Sequence, residues 1–389
     1  MPKLANRITQ TSKKSYGMVA KAGGLAGSGR DLIHLELGKP FHDTPAHIIE
    51  ATVDAMRRGE VHYSDLAGLY DFRVAIADKL VGYNKMEVGP QDVLVTNGLT
   101  QASFAAFMAL VEEGDEVILL EPYYPQHLGK IEMAGGRPVT VTLDPSDGYR
   151  LDPVRIAAAI TPRTKAIVLV NPCNPTGRVY SRQELEGVAQ LAREHDLFVI
   201  SDEVYDHIVF DRETHVSIAT LPGMKDRTVS MYAFTKAYAM DGWRLGYLVA
   251  APALMSGLAK IVATEVTHVN TFIQHGGRAA LTGPEAVLRD MVADDQRKRD
   301  LVVARLNQMP GVTCPMPQGT IYAFPDISAV GLTSQEAADR LLDEADVVVE
   351  SGAFYGPAGE GRLRICFGSE STERLTLAMD RMQKFFNAL

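Results

Sequence analysis

From about residue 90, short apolar runs that favour β-strands alternate with segments of helix length along this 389-residue chain. Strands separated by helix-length segments indicate a parallel or mostly parallel sheet covered by helices on both faces. Ser181 and Glu184 fit a capping box at the start of one crossover helix. The runs predicted to be strands are VLVT (93–96), EVILL (116–120), PVTVTL (138–143), AIVLV (166–170), LFVIS (197–201), TVSMYAF (228–234) and GYLVA (246–250).

The pattern changes after about residue 285, where a long charged helical stretch leads into short strands and a final helix. A chain of this length is expected to form two domains, and the change predicts that the second is a smaller α+β domain. We assign residues 1–45 to an N-terminal arm and small-domain segment, residues 46–285 to a large α/β domain and residues 286–389 to the small C-terminal domain.

The composition argues against several classes of protein. The formal net charge of −9 disfavours a nucleic-acid partner, which would select a basic face. No apolar run reaches the roughly 18 residues that span a bilayer, so we expect no membrane insertion. Ten histidines are scattered without the paired spacing of a zinc motif, so we expect no metal site.

The three cysteines are far apart and form no CxxC pair, which suits a reducing compartment. The first residues lack the apolar stretch of a secretory signal. Both features favour a cytoplasmic protein.

Polar and aromatic residues directly follow five of the predicted strands. Because the carboxyl ends of parallel strands meet at one edge, where open α/β sheets bind ligands, we expect these residues to lie together. Taken singly, each also fits an ordinary role in a turn, a proline-pinned loop or a helix cap. The residues are Gly98, Leu99 and Thr100, then Tyr124, then Asn174, then Asp202 and Tyr205, and finally Thr235 and Lys236.

Together these groups match one ligand chemistry. A helix N-terminus accepts a phosphate, and Arg244 can hold that phosphate with two hydrogen bonds. An aromatic ring such as that of Tyr124 can lie against a flat ligand ring. A carboxylate can keep a pyridine nitrogen protonated, and a lysine amine can form a Schiff base. Pyridoxal 5′-phosphate is the ligand that needs all of these groups.

Longer segments strengthen this interpretation, together with the spacing of Asn174, Asp202, Lys236 and Arg244. The segments are LELGKPFHDTP (35–45), YSDLAGLYDFR (63–73), VTNGLTQA, EPYYP, NPCNPTG, ISDEVY, FTKAYAMDGWRLGY, PQGTIYAFP and RLRICF. With these segments the chain resembles the class I, aspartate aminotransferase-like enzymes of pyridoxal-phosphate fold type I over nearly its whole length. The resemblance implies a large domain with a mostly parallel central sheet between helices, plus a smaller α+β domain.

The resemblance also implies roles for individual residues. Lys236 would hold the cofactor as an internal aldimine and then act as the general acid and base. Asp202 would pair with the protonated pyridine nitrogen. Tyr205 and Asn174 would hydrogen-bond the 3′-oxygen of the ring, and Tyr124 would stack on the ring.

The next set of implied roles concerns the cofactor phosphate. The phosphate would be bound by the amides near Gly98, Leu99 and Thr100, together with Thr235 and Arg244.

Two further roles involve a second subunit and the substrate carboxylate. Tyr63 would reach the phosphate of the neighbouring subunit's cofactor, which implies a homodimer with active sites at the interface. Arg364, with the backbone near Gly38 and the amide of Asn174, would clamp the α-carboxylate. Strand alternation alone does not choose between Arg362 and Arg364, but the family pattern favours Arg364.

Three positions depart from the family pattern. Ala233 stands where many relatives have serine, which removes one phosphate hydroxyl. Lys39 stands where relatives often have glutamate, and it is a candidate for changing which substrate side chains fit. Leu99 stands where small residues are common.

The function expected from the resemblance is transfer of an amino group between an α-amino acid and a 2-oxo acid by a ping-pong mechanism. The same cofactor also serves elimination, decarboxylation, oxidation and cyclisation, and the motifs hardly separate these outcomes. A non-catalytic sensor domain of a DNA-binding regulator is disfavoured, because the chain has no helix-turn-helix extension and its site residues are complete.

Overall fold

The computed structural model describes residues 3–11, 17–25, 27 and 29–389. Residues 1, 2, 12–16, 26 and 28 of the predicted N-terminal arm lie outside the described residues. No helix within the described ranges is long and apolar enough to cross a membrane.

Helices and strands alternate along most of the chain. The helices of the described part are α1 (Asn6–Gln10), α2 (Gly17–Gly23), α3 (Ala46–Arg57), α4 (Tyr70–Gly82), α5 (Leu99–Leu110), α6 (Pro125–Met133), α7 (Pro153–Ala158), α8 (Arg182–Glu194), α9 (Pro252–Glu265), α10 (Thr271–Thr282), α11 (Glu285–Leu306), α12 (Ser334–Ala345) and α13 (Thr372–Asn387). The strands are β1 (Ile33–His34), β2 (Val93–Thr96), β3 (Glu116–Glu121), β4 (Arg137–Thr142), β5 (Thr164–Val170), β6 (Phe198–Asp202), β7 (Thr228–Ala233), β8 (Gly246–Val249), β9 (Tyr322–Ala323), β10 (Val347–Val348), β11 (Glu350–Ser351) and β12 (Leu363–Cys366).

A seven-stranded sheet in the order β2-β8-β7-β6-β5-β3-β4 forms the centre of the fold. All neighbouring pairs are parallel except those of β8, which runs antiparallel to β2 and β7. Each strand lies where the sequence predicts it, and the ends differ by no more than two residues. The α/β fold class and the mostly parallel sheet are therefore confirmed.

The central sheet is buried on both faces, which explains why its strands are almost continuously apolar. In β3, Ile118 and Leu120 belong to the core cluster that includes the buried side of α8. Val117 and Leu119 point the other way and belong to the cluster that includes α5 and α9. Alternate residues of one strand thus anchor helices on opposite faces.

The crossover helix α8 begins at the predicted capping box. The Ser181 hydroxyl accepts a hydrogen bond from the Glu184 amide at 3.3 Å, and the Glu184 carboxylate accepts one from the Ser181 amide at 2.9 Å. These two bonds satisfy amides that a helix start otherwise leaves without partners.

The C-terminal part contains a three-stranded antiparallel sheet in the order β11-β12-β9. Strand β1 pairs in parallel with β10, with Ile33 opposite Val347. A second core there includes side chains of α11, α12 and α13 together with Ile33 and Leu35. This pairing supports the prediction that part of the first 45 residues belongs with the C-terminal domain, and the domain boundaries themselves stay a prediction.

Candidate active site

A cavity of about 560 Å³ lies where the carboxyl ends of the central strands face the C-terminal sheet. It brings together most of the residues that the sequence selects as site candidates. The predicted residues that line it are Gly38, Leu99, Thr100, Tyr124, Asn174, Asp202, Tyr205, Thr235, Lys236, Arg244 and Arg364.

Lys236 follows β7 and lies at the base of this cavity. Its ammonium group donates a hydrogen bond to the carbonyl of Gly38, which lies in the segment after β1. Burial lowers the pKa of Lys236 to about 8 from an ordinary value of 10.5. The guanidinium groups of Arg364 and Arg244 add to this effect, because a neighbouring positive charge disfavours a second one. Lys236 therefore supplies an uncharged amine more readily than an ordinary lysine does.

Asp202 is the last residue of β6 and is only 3% exposed. Its carboxylate lies 3.1 Å from the Nε2 atom of His127, which is fully buried at the start of α6. Burial lowers the pKa of His127, although the hydrogen bond to Asp202 opposes the change. A hydrogen bond donated from the His127 ring to this carboxylate would hold the Asp202 side chain in a fixed orientation.

His127 is a site residue that the sequence reasoning missed. It stands two residues beyond the EPYYP segment, but its contact with Asp202 spans 75 positions. The one sequence feature that pointed to His127 was its position in the first turn of α6, the helix that follows β3. The Nδ1 atom of His127 has no hydrogen-bond partner within the described residues.

The start of α5 is built to receive an anion. Gly98 precedes the helix with φ +80°, and a Cβ atom there would lie 2.7 Å from the Nη2 atom of Arg244. Only glycine therefore lets this guanidinium lie against the helix N-terminus. The exposed amides of the first turn and the arginine both favour negative charge. Gly98 leaves the space that the Arg244 guanidinium occupies, while Leu99 and Thr100 line the cavity.

Arg364 lies on β12 and is 6% exposed. One of its terminal nitrogens donates a hydrogen bond to the carbonyl of Glu36. Its guanidinium carbon lies 4.4 Å from the ring centroid of Tyr322 and 5.3 Å from that of Tyr355. Its Nε atom is buried without a hydrogen-bond partner in the described part of the chain. A carboxylate entering the cavity would satisfy that donor.

The structure separates Arg362 from Arg364, which strand alternation alone could not do. Arg362 precedes β12, and its Nη2 atom lies 2.8 Å from a carboxylate oxygen of Asp326. It is not among the residues that line the cavity. Arg362 therefore has an ion-pair partner elsewhere, and Arg364 faces the candidate site.

Other residues of interest are distributed between the cavity and the surface. Asn174 lines the cavity, and its side-chain oxygen is buried without a partner among the described residues. Lys39 lines the mouth and is exposed, and Ala233 ends β7. Tyr63 is 86% exposed and lies outside the cavity, with its ring edge-on to His268 at 4.9 Å.

Two further buried carboxyl groups line the cavity and were not singled out from the sequence. Glu36 and Glu350 are both buried there. Burial raises the pKa of Glu350 to about 7, while Arg364 opposes the rise. Glu350 also accepts a hydrogen bond from the amide of Met18, which joins α2 to the cavity wall.

No cluster of three or more His, Cys, Asp or Glu side chains suited to a metal ion occurs within the described residues. The cavity instead combines a partly buried amine, a buried carboxylate, a helix start that favours an anion and a guanidinium with an unpaired donor. This set can hold a phosphate-bearing aromatic cofactor and a carboxylate substrate.

Comparison with known proteins agrees with this chemistry. The model of the family "Aminotransferase class I and II" matches residues 30–382. The chain is 39% identical to the aspartate aminotransferase of Pyrococcus abyssi, over 92% of this chain and 93% of that protein. It is 36% identical to an aromatic-amino-acid aminotransferase of Thermococcus litoralis, over 92% and 93% of the two chains.

Solved structures give the same result. A structure of the aspartate aminotransferase of Thermus thermophilus with maleate superimposes with a TM-score of 0.93 at 35% identity, covering 99% of this chain and all of the other. Both the match along the sequence and the match of the fold extend over nearly the whole molecule. The chain belongs to the class I and II aminotransferases, enzymes of fold type I.

Proposed function

We propose that this aminotransferase binds pyridoxal 5′-phosphate covalently through Lys236 and moves an amino group between an α-amino acid and a 2-oxo acid by a ping-pong mechanism. The observation that carries the proposal is that the Lys236 amine and the buried Asp202 carboxylate line one cavity with Arg364. When bound, this cofactor supplies an electron sink for negative charge on the substrate's α-carbon.

The residues present fit this cofactor. The Nε atom of Arg364 is buried in the cavity wall without a hydrogen-bond partner in the described part, and the side-chain amide of Asn174, whose NH₂ group can donate to a ligand oxygen, lines the same cavity. Buried polar groups without partners are costly, and a polar ligand relieves that cost. The helix start at Gly98 and the guanidinium of Arg244 favour an anion at the opposite side of the same cavity.

Each cavity residue then has a physical task. Asp202, whose carboxylate lies against the buried ring of His127, holds a proton at the ring nitrogen. Tyr205 and Asn174 hydrogen-bond the ring's 3′-oxygen, and the Tyr124 ring packs on the cofactor's face.

Lys236 moves the proton at the substrate's α-carbon. A pKa near 8 suits this task, because general acid and base catalysts work best when their pKa lies close to the operating pH. Arg364, with the backbone of Gly38 and the amide of Asn174, binds the α-carboxylate. Closure of the cavity around the substrate excludes water and strengthens these contacts.

The residues around the start of α5 bind the phosphate end of the cofactor. The amides of Gly98, Leu99 and Thr100 and the side chains of Thr235 and Arg244 bind the phosphate. Ala233 offers no hydroxyl there, which increases the share carried by Arg244.

We also infer a homodimer in which Tyr63 serves the partner's site, and a cytoplasmic location. The exposure of Tyr63 outside its own cavity supports the first inference. The cysteines are buried free thiols, which a reducing compartment preserves.

The named relatives favour amino-group transfer over elimination, decarboxylation, oxidation or cyclisation. They are named for aspartate and for aromatic amino acids. For this chain we propose an α-amino acid as the substrate class and leave the side chain to experiment.

Mixing the purified, cofactor-loaded protein with single amino acids tests the proposal. A substrate should convert the visible absorption band without any oxo acid, and adding a 2-oxo acid should restore the band. Borohydride reduction should attach the cofactor label to Lys236, and Lys236→Ala should take up no label. A label on another lysine would contradict the assignment of Lys236. Release of an eliminated or decarboxylated product would favour one of the other reactions.

A further inference from the structure

Two buried tyrosines meet at the cavity wall from different sheets. Tyr205 follows β6 of the central sheet, and Tyr322 lies on β9 of the C-terminal sheet. Their exposed fractions are 3% and 2%. The two hydroxyl oxygens lie 2.7 Å apart, with the rings edge-on at an interplanar angle of 78°. This short hydrogen bond connects the cofactor-facing loop after β6 to the sheet that carries Arg364.

Each hydroxyl has one hydrogen, so only one of the two tyrosines donates to the other. Within the described residues, the Tyr205 oxygen is the partner found for the Tyr322 hydroxyl. If Tyr205 donated, the hydrogen of Tyr322 would be left without an acceptor. If Tyr322 donates, the hydrogen of Tyr205 is free to point into the cavity. The second arrangement is the one that leaves the Tyr205 hydrogen available for the cofactor's 3′-oxygen, as the proposed role of Tyr205 requires.

Both phenols keep their hydrogens at ordinary pH. Burial raises the pKa of Tyr322 to about 12, with the guanidinium of Arg364 opposing the rise, and burial raises the pKa of Tyr205 well above its usual value. Each hydroxyl can therefore act as a hydrogen-bond donor.

Tyr322 is held in place on two sides. Its ring lies against Arg364, with the guanidinium carbon 4.4 Å from the ring centroid. Its hydroxyl lies against the backbone of Gly38, where a Cβ atom would come within 1.9 Å of the phenolic oxygen. Glycine at position 38 therefore leaves the space that the Tyr322 hydroxyl occupies.

We propose that Tyr322 is a positioning residue of the transamination site, which donates a hydrogen bond to Tyr205 and so directs the Tyr205 hydrogen toward the cofactor's 3′-oxygen. The inference rests on the proposed function, because it requires the cofactor to lie in this cavity. Tyr322 acts only through Tyr205 and has no contact of its own with the ring oxygen in this arrangement.

The proposal has a spectroscopic consequence. A hydrogen bond donated to the 3′-oxygen stabilises its anionic form and lowers the pH at which the visible band of the bound cofactor changes. Tyr205→Phe removes this bond and should raise the midpoint pH of the band change. In Tyr322→Phe, Tyr205 can still donate to the 3′-oxygen, but its hydroxyl is no longer oriented by a partner. This variant should therefore raise the midpoint pH by less, up to about one pH unit.

The experiment is a double-mutant cycle on the cofactor-loaded protein, read by absorption across a pH series. Wild type, Tyr205→Phe, Tyr322→Phe and the double variant are compared. If Tyr322 acts through Tyr205, the double variant has the midpoint of Tyr205→Phe alone. Phenylalanine keeps the ring against Arg364, so the KM for the amino acid should change little in Tyr322→Phe.

Tyr355→Phe is the matched control, because the Tyr355 ring also lies near Arg364, at 5.3 Å from the guanidinium carbon. No hydrogen bond joins its hydroxyl to Tyr205 within the described residues, so its spectral midpoint should match wild type. A wild-type midpoint in Tyr322→Phe, or equal shifts from Tyr322→Phe in both backgrounds, would overturn the positioning role. A wild-type protein that binds no cofactor would instead overturn the proposed function, so the two failures differ.

Discussion

At the scale of single residues, the site depends on charges that are taken out of water. Lys236 is the clearest case, because burial shifts its pKa to about 8. Desolvation disfavours the ammonium form, and two nearby guanidinium groups act in the same direction. The amine is therefore available at a pH where an ordinary lysine is still protonated.

This shift predicts the pH dependence of Lys236 reactivity in the cofactor-free protein. The neutral amine is the reacting form, so acylation of Lys236 should rise with a midpoint near pH 8 instead of 10.5. Mass spectrometry of the peptide that contains Lys236, with limiting reagent across a pH series, measures this midpoint. A lysine in a short unstructured peptide provides the reference. Coincidence of the two midpoints would show that the pocket does not shift this pKa.

A second prediction at this scale concerns the two arginines near β12. Arg364→Lys should lower kcat/KM for amino acids by at least about 30-fold, corresponding to the roughly 2 kcal/mol lost from a buried charge pair. The reason is that a planar carboxylate needs a two-pronged donor, which lysine does not provide. The visible spectrum of the bound cofactor should stay unchanged.

Arg362→Lys is the matched control, since Arg362 pairs with Asp326 and does not line the cavity. It should keep near-normal kinetics. The opposite pattern, with damage from Arg362→Lys alone, would mean that the clamp is misassigned. An unchanged kcat/KM in both variants would indicate a substrate without an ordinary α-carboxylate.

At the scale of elements, the start of α5 couples backbone conformation to the position of the Arg244 guanidinium. Gly98 adopts φ +80°, a region that side chains other than glycine rarely occupy. The space that a Cβ atom would fill is taken by the Arg244 guanidinium. The helix start and the arginine therefore form one anion site only because residue 98 has no side chain.

Gly98→Ala should accordingly weaken cofactor binding as well as stability. The backbone at Gly98, with φ +80° and ψ 171°, lies in a region that is essentially restricted to glycine, so alanine there should cost about 1–3 kcal/mol of folding free energy. Displacing the guanidinium should also remove roughly 1.5–3 kcal/mol of cofactor binding, the range for a charge-assisted hydrogen bond. Cofactor dissociation constants and urea unfolding measure the two effects.

Gly148→Ala is a control for a positive φ without a steric clash, because Gly148 has φ +74° and ψ 31° and nothing within 4 Å of its Cβ position. It should lose stability but keep its cofactor affinity. Arg244→Ala should weaken cofactor binding to a similar degree as Gly98→Ala, and the double variant should lose little more. Full additivity of the two changes would show that Gly98 does not act through Arg244.

At the scale of the whole molecule, the proposed homodimer would make each site depend on a second copy of the chain. The cavity of one chain contains the proposed lysine, carboxylate and arginines, but Tyr63 is exposed outside it. A residue that serves the partner's site makes each site a product of two chains.

Mixing two defective variants tests this arrangement. In a heterodimer of a Lys236→Ala chain and a Tyr63→Ala chain, one of the two sites is intact. It takes Lys236 from the Tyr63→Ala chain and Tyr63 from the Lys236→Ala chain. Random pairing of equal amounts makes half the dimers mixed, each with one complete site of two, so activity should recover to about a quarter of wild type. The separate homodimers are the controls. Activity no greater than the average of the two parents would contradict the exchange of Tyr63 between subunits.

Much of the fold follows from local features of the sequence. The strands of the central sheet were placed to within two residues because each is a continuous apolar run between helix-length segments. The capping box of α8 was readable because Ser181 and Glu184 are one helical turn apart. Most of the candidate site was also readable, because residues that follow parallel strands are carried to one edge whatever the details of packing.

The sequence by itself determined which residues gather at that edge, and the tertiary structure decided how they pair. Arg362 and Arg364 are equivalent by strand alternation, and only the position of Asp326 and the start of β12 separates them. His127 meets Asp202 across 75 positions, and Tyr205 meets Tyr322 across 117. Such contacts carry no local pattern, because they arise only when packing brings distant elements together and removes the water that would otherwise solvate each group.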